Sequence, residues 1–126
     1  GSKLIVVLGH SKCGAVKGAC DHVEMGNLTE LLSKIQPAVY QEKDTTDNRT
    51  SKNSEFVENV SEINVKRSVK NIIERSFVLE QMLEEGQIGI VGAMHDIESG
   101  KVIFYDDVMY IKDDLNPEFT VAALRH

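Results

Sequence analysis

Apolar residues along the 126-residue chain change their spacing in an orderly way. Lys3 to Gly9 contains the unbroken apolar run Leu4-Ile5-Val6-Val7-Leu8, of the kind carried by strands buried on both faces of a parallel sheet. From Gly14 the spacing becomes helical, with Ala15, Val16, Ala19 and Val23 on one stripe. A strand feeding a helix specifies an α/β fold. Asn27 then reads as an N-cap, with Glu30 completing a capping box and Leu28, Leu31, Leu32 and Ile35 forming the inward stripe. Pro37 kinks or ends that helix. From Gln41 to Glu55 there is no aliphatic or aromatic residue, so a solvated, flexible loop is expected over 41–55.

A long amphipathic segment follows through Phe56, Val57, Val60, Ile63, Ile72, Ile73, Val78, Leu79, Met82 and Leu83, with Gly86 as its C-terminal stop. Ser76 interrupts it and caps a second helix. Gln87 to Met94 reads as a second buried strand, and the turn Ser99-Gly100 leads into an antiparallel hairpin partner over Lys101–Tyr105. Asn116-Pro117-Glu118 has the order cap, proline, acid, which predicts a short closing helix carrying Phe119, Val121, Ala122 and Leu124. The expected architecture is therefore one α/β domain over 1–126: a mixed, mostly parallel sheet flanked by helices, with Leu4–Gly9 beside Ile88–Gly92.

A chain of this length buries roughly two-thirds of its unfolded surface, enough for its own core provided nothing essential is missing. A net charge of −6 argues against the basic face that nucleic acid requires. No apolar run reaches membrane length. Two cysteines fit reduced thiol chemistry rather than a disulfide scaffold. The opening Gly1-Ser2 reads as an expression scar, consistent with a truncated domain. The compartment stays open between cytoplasm and periplasm, because a leader can precede the first residue.

Candidate chemistry sits where the first strand meets the first helix. His10 and Cys13 are three positions apart, so their side chains can converge across one tight turn. Imidazole with thiolate is a ligand pair that zinc prefers. A cysteine at a helix N-terminus also faces a dipole and free N–H groups that favour the thiolate. Structural zinc sites use four protein ligands and catalytic ones three plus water, so this pair is part of a shell. Cys20 is seven positions beyond Cys13, about 10 Å along a helix, and belongs with the apolar stripe as a packing residue. His95 follows the second buried strand and reads as a pocket-wall or surface residue; His126 is terminal.

The string Gly9-His10-Ser11-Lys12-Cys13-Gly14-Ala15 resembles the second zinc motif of the β-class carbonic anhydrases, in which H-x-x-C-G-A closes a parallel strand and opens a helix. The resemblance continues in Glu24-Met25-Gly26-Asn27-Leu28-Thr29, Asn64-Val65 with Ser68-Val69, and Gly89-Ile90-Val91-Gly92-Ala93-Met94 running to Asp96 and Ser99-Gly100-Lys101-Val102. The family's first motif, C-x-D-S-R or C-x-D-A-R, occurs nowhere in the chain, which reads like the N-terminally truncated, C-terminal two-thirds of such an enzyme. What the resemblance implies is zinc-dependent, reversible hydration of carbon dioxide to bicarbonate in the parent protein, with one zinc per subunit. His10 and Cys13 would be metal ligands, and Gly14 the substrate-side residue by its small size and free N–H. No catalytic residue is identified in this segment, since the missing cysteine and aspartate–arginine pair belong to the absent motif. The segment alone is expected to bind zinc weakly and to be inactive or weakly active. A homodimer or larger homo-oligomer is implied as well. Two other readings compete: a non-catalytic assembly domain or fragment with the same fold, and a thiol nucleophile at Cys13 with His10 as base. Against the second, Ser11 and Ala15 stand where a G-x-C-x-G elbow around Cys13 needs its two glycines.

Overall fold

The structure, a computed structural model, describes residues 3–111. It contains, in order, β1 (Lys3–His10), α1 (Gly14–Cys20), α2 (Asn27–Ser33), α3 (Gln36–Gln41), α4 (Ser54–Arg75), α5 (Phe77–Glu84), β2 (Ile88–His95) and β3 (Val102–Tyr110). The described residues divide into two compact units, one with 3–9 and 65–111 and the other with 10–64.

The first unit is built on a mixed sheet in the order β1-β2-β3, in which β1 reaches β2 through a helical crossover and β3 runs antiparallel to β2. Strand β2 is the centre: every residue from Ile88 to Met94 is buried. The turn into β3 is closed by Asp96 N–H donating to Lys101 O and Gly100 N–H donating to Asp96 O, both 2.8 Å, with Gly100 at φ 76°. Asp96 also accepts from Glu98 N–H and Ser99 Oγ. Val91 pairs with Met109 but Gly92 pairs with Tyr105, so residues 106–108 bulge from the ladder. The bulge presents Val108 to the core, where it joins Val69 and Ile90. Gly9 and Gly92 let α4 come close: a Cβ on Gly9 would stand 2.6 Å from Val65 Cγ2, and one on Gly92 3.0 Å from both Val65 Cγ1 and Val108 Cγ2.

The predicted interruption at Ser76 is present. Its hydroxyl accepts from Leu79 N–H at 3.2 Å and starts α5. That helix ends at Gly86, φ 74°, with Gln87 N–H on Met82 O and Gly86 N–H on Leu83 O, the paired bonds of a Schellman stop. Strand β1 departs from expectation. It lies at the edge of the described sheet, with Val6 41% and Leu8 53% exposed. An apolar run shows that a strand tolerates burial on both faces, while the cover itself must come from other segments.

The second unit packs Val16, Ala19, Cys20, Leu32, Ala38, Val39, Phe56, Val57 and Val60 into one core. Here α2 corrects the sequence reading. Gly26, not Asn27, is its N-cap, at φ 49°, and the local bond runs from Met25 N–H to Thr29 Oγ1. Only Leu32 of the expected stripe is buried; Leu28 and Leu31 are 43% and 49% exposed. The helix is 7 residues long, too short for its whole apolar stripe to reach one core. Pro37 sits in the first turn of α3 rather than inside a longer helix.

Residues 42–53 lie outside helices and strands, around a charge that hydropathy does not signal. Glu42 is 2% exposed. Its carboxylate accepts from Thr45 N–H (3.1 Å), Thr45 Oγ1 (2.6 Å), Asn59 Nδ2 (3.0 Å) and Arg49 Nη1 (3.0 Å). Arg49 also donates to the carbonyls of Val39, Glu42 and Thr45 and stacks 4.5 Å over Phe56. Burial pushes the Glu42 pKa up, but the donors from Thr45, Asn59 and Arg49 outweigh it and hold it near about 2, against an ordinary 4.5. The helix predicted over Asn116–Leu124 lies outside the described residues.

Three substitutions test this packing. Gly9→Ala should destabilise the chain by about 1–3 kcal/mol, because Val65 is short, branched and held in a helix. Gly14→Ala should change stability by less than about 0.5 kcal/mol, because beyond its chain neighbours and its own helix backbone no described atom lies within 4 Å of the new Cβ. Urea unfolding of both variants checks the contrast. Glu42 has a depressed folded pKa, so its contribution is full above 4.5 and is lost as pH falls toward about 2. Glu42→Gln should lower stability at neutral pH by about 1–3 kcal/mol and flatten the acid limb of a stability–pH curve across that window.

Candidate metal centre

His10 is the last residue of β1, and Cys13 is the N-cap of α1, with extended backbone at φ −69° and ψ 122°. Between them Ser11 and Lys12 form a turn, and Lys12 has a left-handed backbone at φ 56°. Cys13 O accepts from Lys17 N–H at 3.0 Å, the first bond of α1. The helix therefore starts one residue after the thiol, so Cys13 stands beside the first, unpaired N–H groups of the helix.

The His10 ring is oriented by a backbone group. The exposed ring places Nδ1 3.1 Å from Ser11 O, a contact that is a hydrogen bond when the proton sits on Nδ1. That tautomer leaves a lone pair on Nε2, the usual arrangement of a metal-binding histidine whose other nitrogen donates to a carbonyl. Cys13 is a half-buried free thiol packed at the rim of the second unit's core. Imidazole nitrogen plus thiol is a donor set that suits zinc. Gly14, the first residue of α1, is exposed. Packing within the described residues does not require a glycine there, which leaves its small size available to something outside the chain's own core.

The remaining candidates separate cleanly. Cys20 is buried among Val16, Ala19 and Val39, and burial, reinforced by the Asp21 charge, pushes its thiol up to about 11. It is a packing residue, as its place on the apolar stripe predicts. Asp21, at the other end of α1, accepts from Ser51 N–H (2.7 Å) and Ser51 Oγ (2.5 Å), and these bonds hold its carboxyl below the ordinary range. His22 is exposed, its ring 6.3 Å from that of Tyr40. His95 closes β2 opposite Val102, and His126 lies outside the described residues. Among the described residues no three His, Cys, Asp or Glu side chains gather to hold an ion. His10 and Cys13 are the two candidate donors that the sequence singles out. The orienting carbonyl of Ser11 and the left-handed Lys12 escape a reading of residue types, because neither side chain belongs to a ligand pattern.

Comparison with known proteins bears on family and fold. The family described as carbonic anhydrase matches residues 1–102. Carbonic anhydrase 2 of Mycobacterium tuberculosis is 25% identical over 117 residues, covering 89% of this chain and 53% of the relative. The carbonic anhydrase of a Synechocystis species is 28% identical over 125 residues, covering 95% of this chain and 43% of the relative. The chain thus spans about half the length of the curated relatives it matches. Among solved structures, a tetrameric β-carbonic anhydrase of Sordaria macrospora superposes with a TM-score of 0.67 at 25% identity, covering 82% of this chain and 52% of that one. A β-carbonic anhydrase of Aspergillus fumigatus does so with 0.64 at 27%, covering 95% and 53%.

The two thiols should differ sharply toward alkylating reagents. Cys13 should react in the native chain and Cys20 only after unfolding, since one is half-exposed and the other is buried with a raised pKa. Timed iodoacetamide labelling read by peptide mass spectrometry checks this. Equal native rates would contradict the assignment of Cys20 to the core.

Proposed function

The chain belongs to the β-class carbonic anhydrase family, and from that premise we propose that the whole protein catalyses the zinc-dependent, reversible hydration of carbon dioxide to bicarbonate. The observation that supports the proposal is the turn 10–13, where Ser11 O lies 3.1 Å from His10 Nδ1 and the next helix starts from a half-exposed cysteine. When bound, zinc supplies the Lewis acidity that makes water nucleophilic near neutral pH. His10 through Nε2 and Cys13 through its sulfur would hold one ion per subunit. Gly14 leaves open space next to the ligands, room in which a small linear substrate can approach. The other donors of the shell come from outside the described residues.

A homo-oligomer fits this reading. The Sordaria enzyme is described as tetrameric, and among the described residues β1 lies at a sheet edge with Val6 and Leu8 exposed on one face, apolar surface that a second copy would cover. No helix among the described residues is long and apolar enough to cross a membrane.

Metal analysis with stopped-flow hydration assays tests the proposal on three forms: this chain, a longer form that also includes the part its relatives have and this chain does not, and Cys13→Ala in the longer form. Two donors hold zinc less firmly than a full shell, so this chain should retain substoichiometric zinc and hydrate carbon dioxide near background. The longer form should hold about one zinc per subunit, as a closed catalytic shell does, and release protons rapidly from dissolved carbon dioxide. Cys13→Ala should lose both. A longer form that holds zinc firmly yet stays inert would replace the enzyme by a non-catalytic assembly domain. Activity that survives chelation but not thiol alkylation would make Cys13 a nucleophile.

A further inference from the structure

Three described residues other than glycine have positive φ: Lys12, His22 and Asn48. Two have ordinary reasons. His22 follows the C-cap of α1, where Val23 N–H reaches Gly18 O and His22 N–H reaches Ala19 O in a Schellman stop. Asn48 is of the type that enters the left-handed region most readily after glycine. Lys12 has neither reason, and it lies between the two candidate ligands. Sparsely populated backbone of this kind persists where surrounding structure holds it, and it concentrates at functional sites.

Within the turn His10–Cys13 only Lys12, the second central residue, has positive φ, the signature of a type II turn. A type I turn over the same residues needs negative φ there. Interconverting the two rotates the Ser11–Lys12 peptide by roughly 150–170°, which swings the Ser11 carbonyl to the opposite side. That carbonyl is the group 3.1 Å from His10 Nδ1. We infer that the left-handed backbone of Lys12 is a positioning element for His10: it turns Ser11 O onto Nδ1 and so fixes the tautomer that offers Nε2 to a metal. The backbone conformation carries this role, and the lysine charge does not. The inference deepens the zinc reading above and rests on it for its metal arm, while the tautomer arm stands without metal.

The test uses the full chain with Lys12→Gly, Lys12→Asn and Lys12→Val. Glycine and asparagine remove the charge and keep positive φ accessible, whereas a β-branched residue opposes it. The first readout is the nitrogen-bound proton of the neutral His10 ring, observed by two-bond proton–nitrogen NMR without metal. The parent, Lys12→Gly and Lys12→Asn should carry it on Nδ1, and Lys12→Val should shift it toward Nε2. Amide exchange in β2 reports whether each variant is folded. The second readout is cobalt(II) titration, followed by the thiolate-to-metal absorption of Cys13. Lys12→Val should bind about 10–100-fold more weakly than the parent, the usual effect of losing an outer-shell partner. Lys12→Gly and Lys12→Asn should bind within about threefold of it, well inside that loss. A Lys12→Val chain that keeps the proton on Nδ1 overturns the inference. So does an equal shift in all three variants, which would assign the effect to the charge. If the tautomers follow expectation but no form binds cobalt(II), the positioning role stands and the zinc reading falls.

Discussion

Two glycines let α4 lie close against the sheet, and much of the first unit depends on that approach. Val65 occupies the space where side chains at Gly9 and Gly92 would be, and Val69 and Val108 close around Gly92. Close packing returns dispersion energy only where surfaces fit, and a misfit of one methyl group is felt directly. The bulge at 106–108 serves the same contact, since it brings Val108 to Gly92 from the other strand. Strand β2 is buried from Ile88 through Met94 because helix and neighbouring strands enclose it.

The second unit solves a different problem. Its polar stretch between α3 and α4 has no apolar side chain with which to anchor itself, and it is organised by one buried carboxylate instead. Removing a carboxylate from water is unfavourable unless its oxygens are satisfied. Thr45, Asn59 and Arg49 satisfy them, and Arg49 simultaneously ties down three carbonyls and covers Phe56. The Asp21–Ser51 bonds fasten the end of α1 to the same stretch. Helix α1 is thus held at its C-terminal end by a polar clasp and along its length by the core, while its N-terminal end carries Cys13.

Legibility in the sequence followed the range of the interaction. The strand–turn–helix with His10 and Cys13, the Ser76 cap, the Gly86 stop and the hairpin at Ser99-Gly100 all depend on residues within a few positions of each other, and each is present as the pattern implies. Cys20 was readable as core because its stripe is local to α1. Three features were not. The exposure of Val6 and Leu8 depends on what covers β1, the exposure of Leu28 and Leu31 on how little of the short α2 reaches the core, and the burial of Glu42 on an arginine seven residues away folding back over it.

The sequence by itself determined the α/β succession, the positions of caps and stops, and a zinc-type donor pair at a strand end, because periodicity, capping chemistry and a three-residue spacing are local properties of the chain. Only the tertiary structure decided which apolar faces are covered, that α4 rests on two glycines, and that Glu42 is an ionised core residue. Those outcomes depend on the presence of a neighbour in space, and residue types along a line carry no record of it.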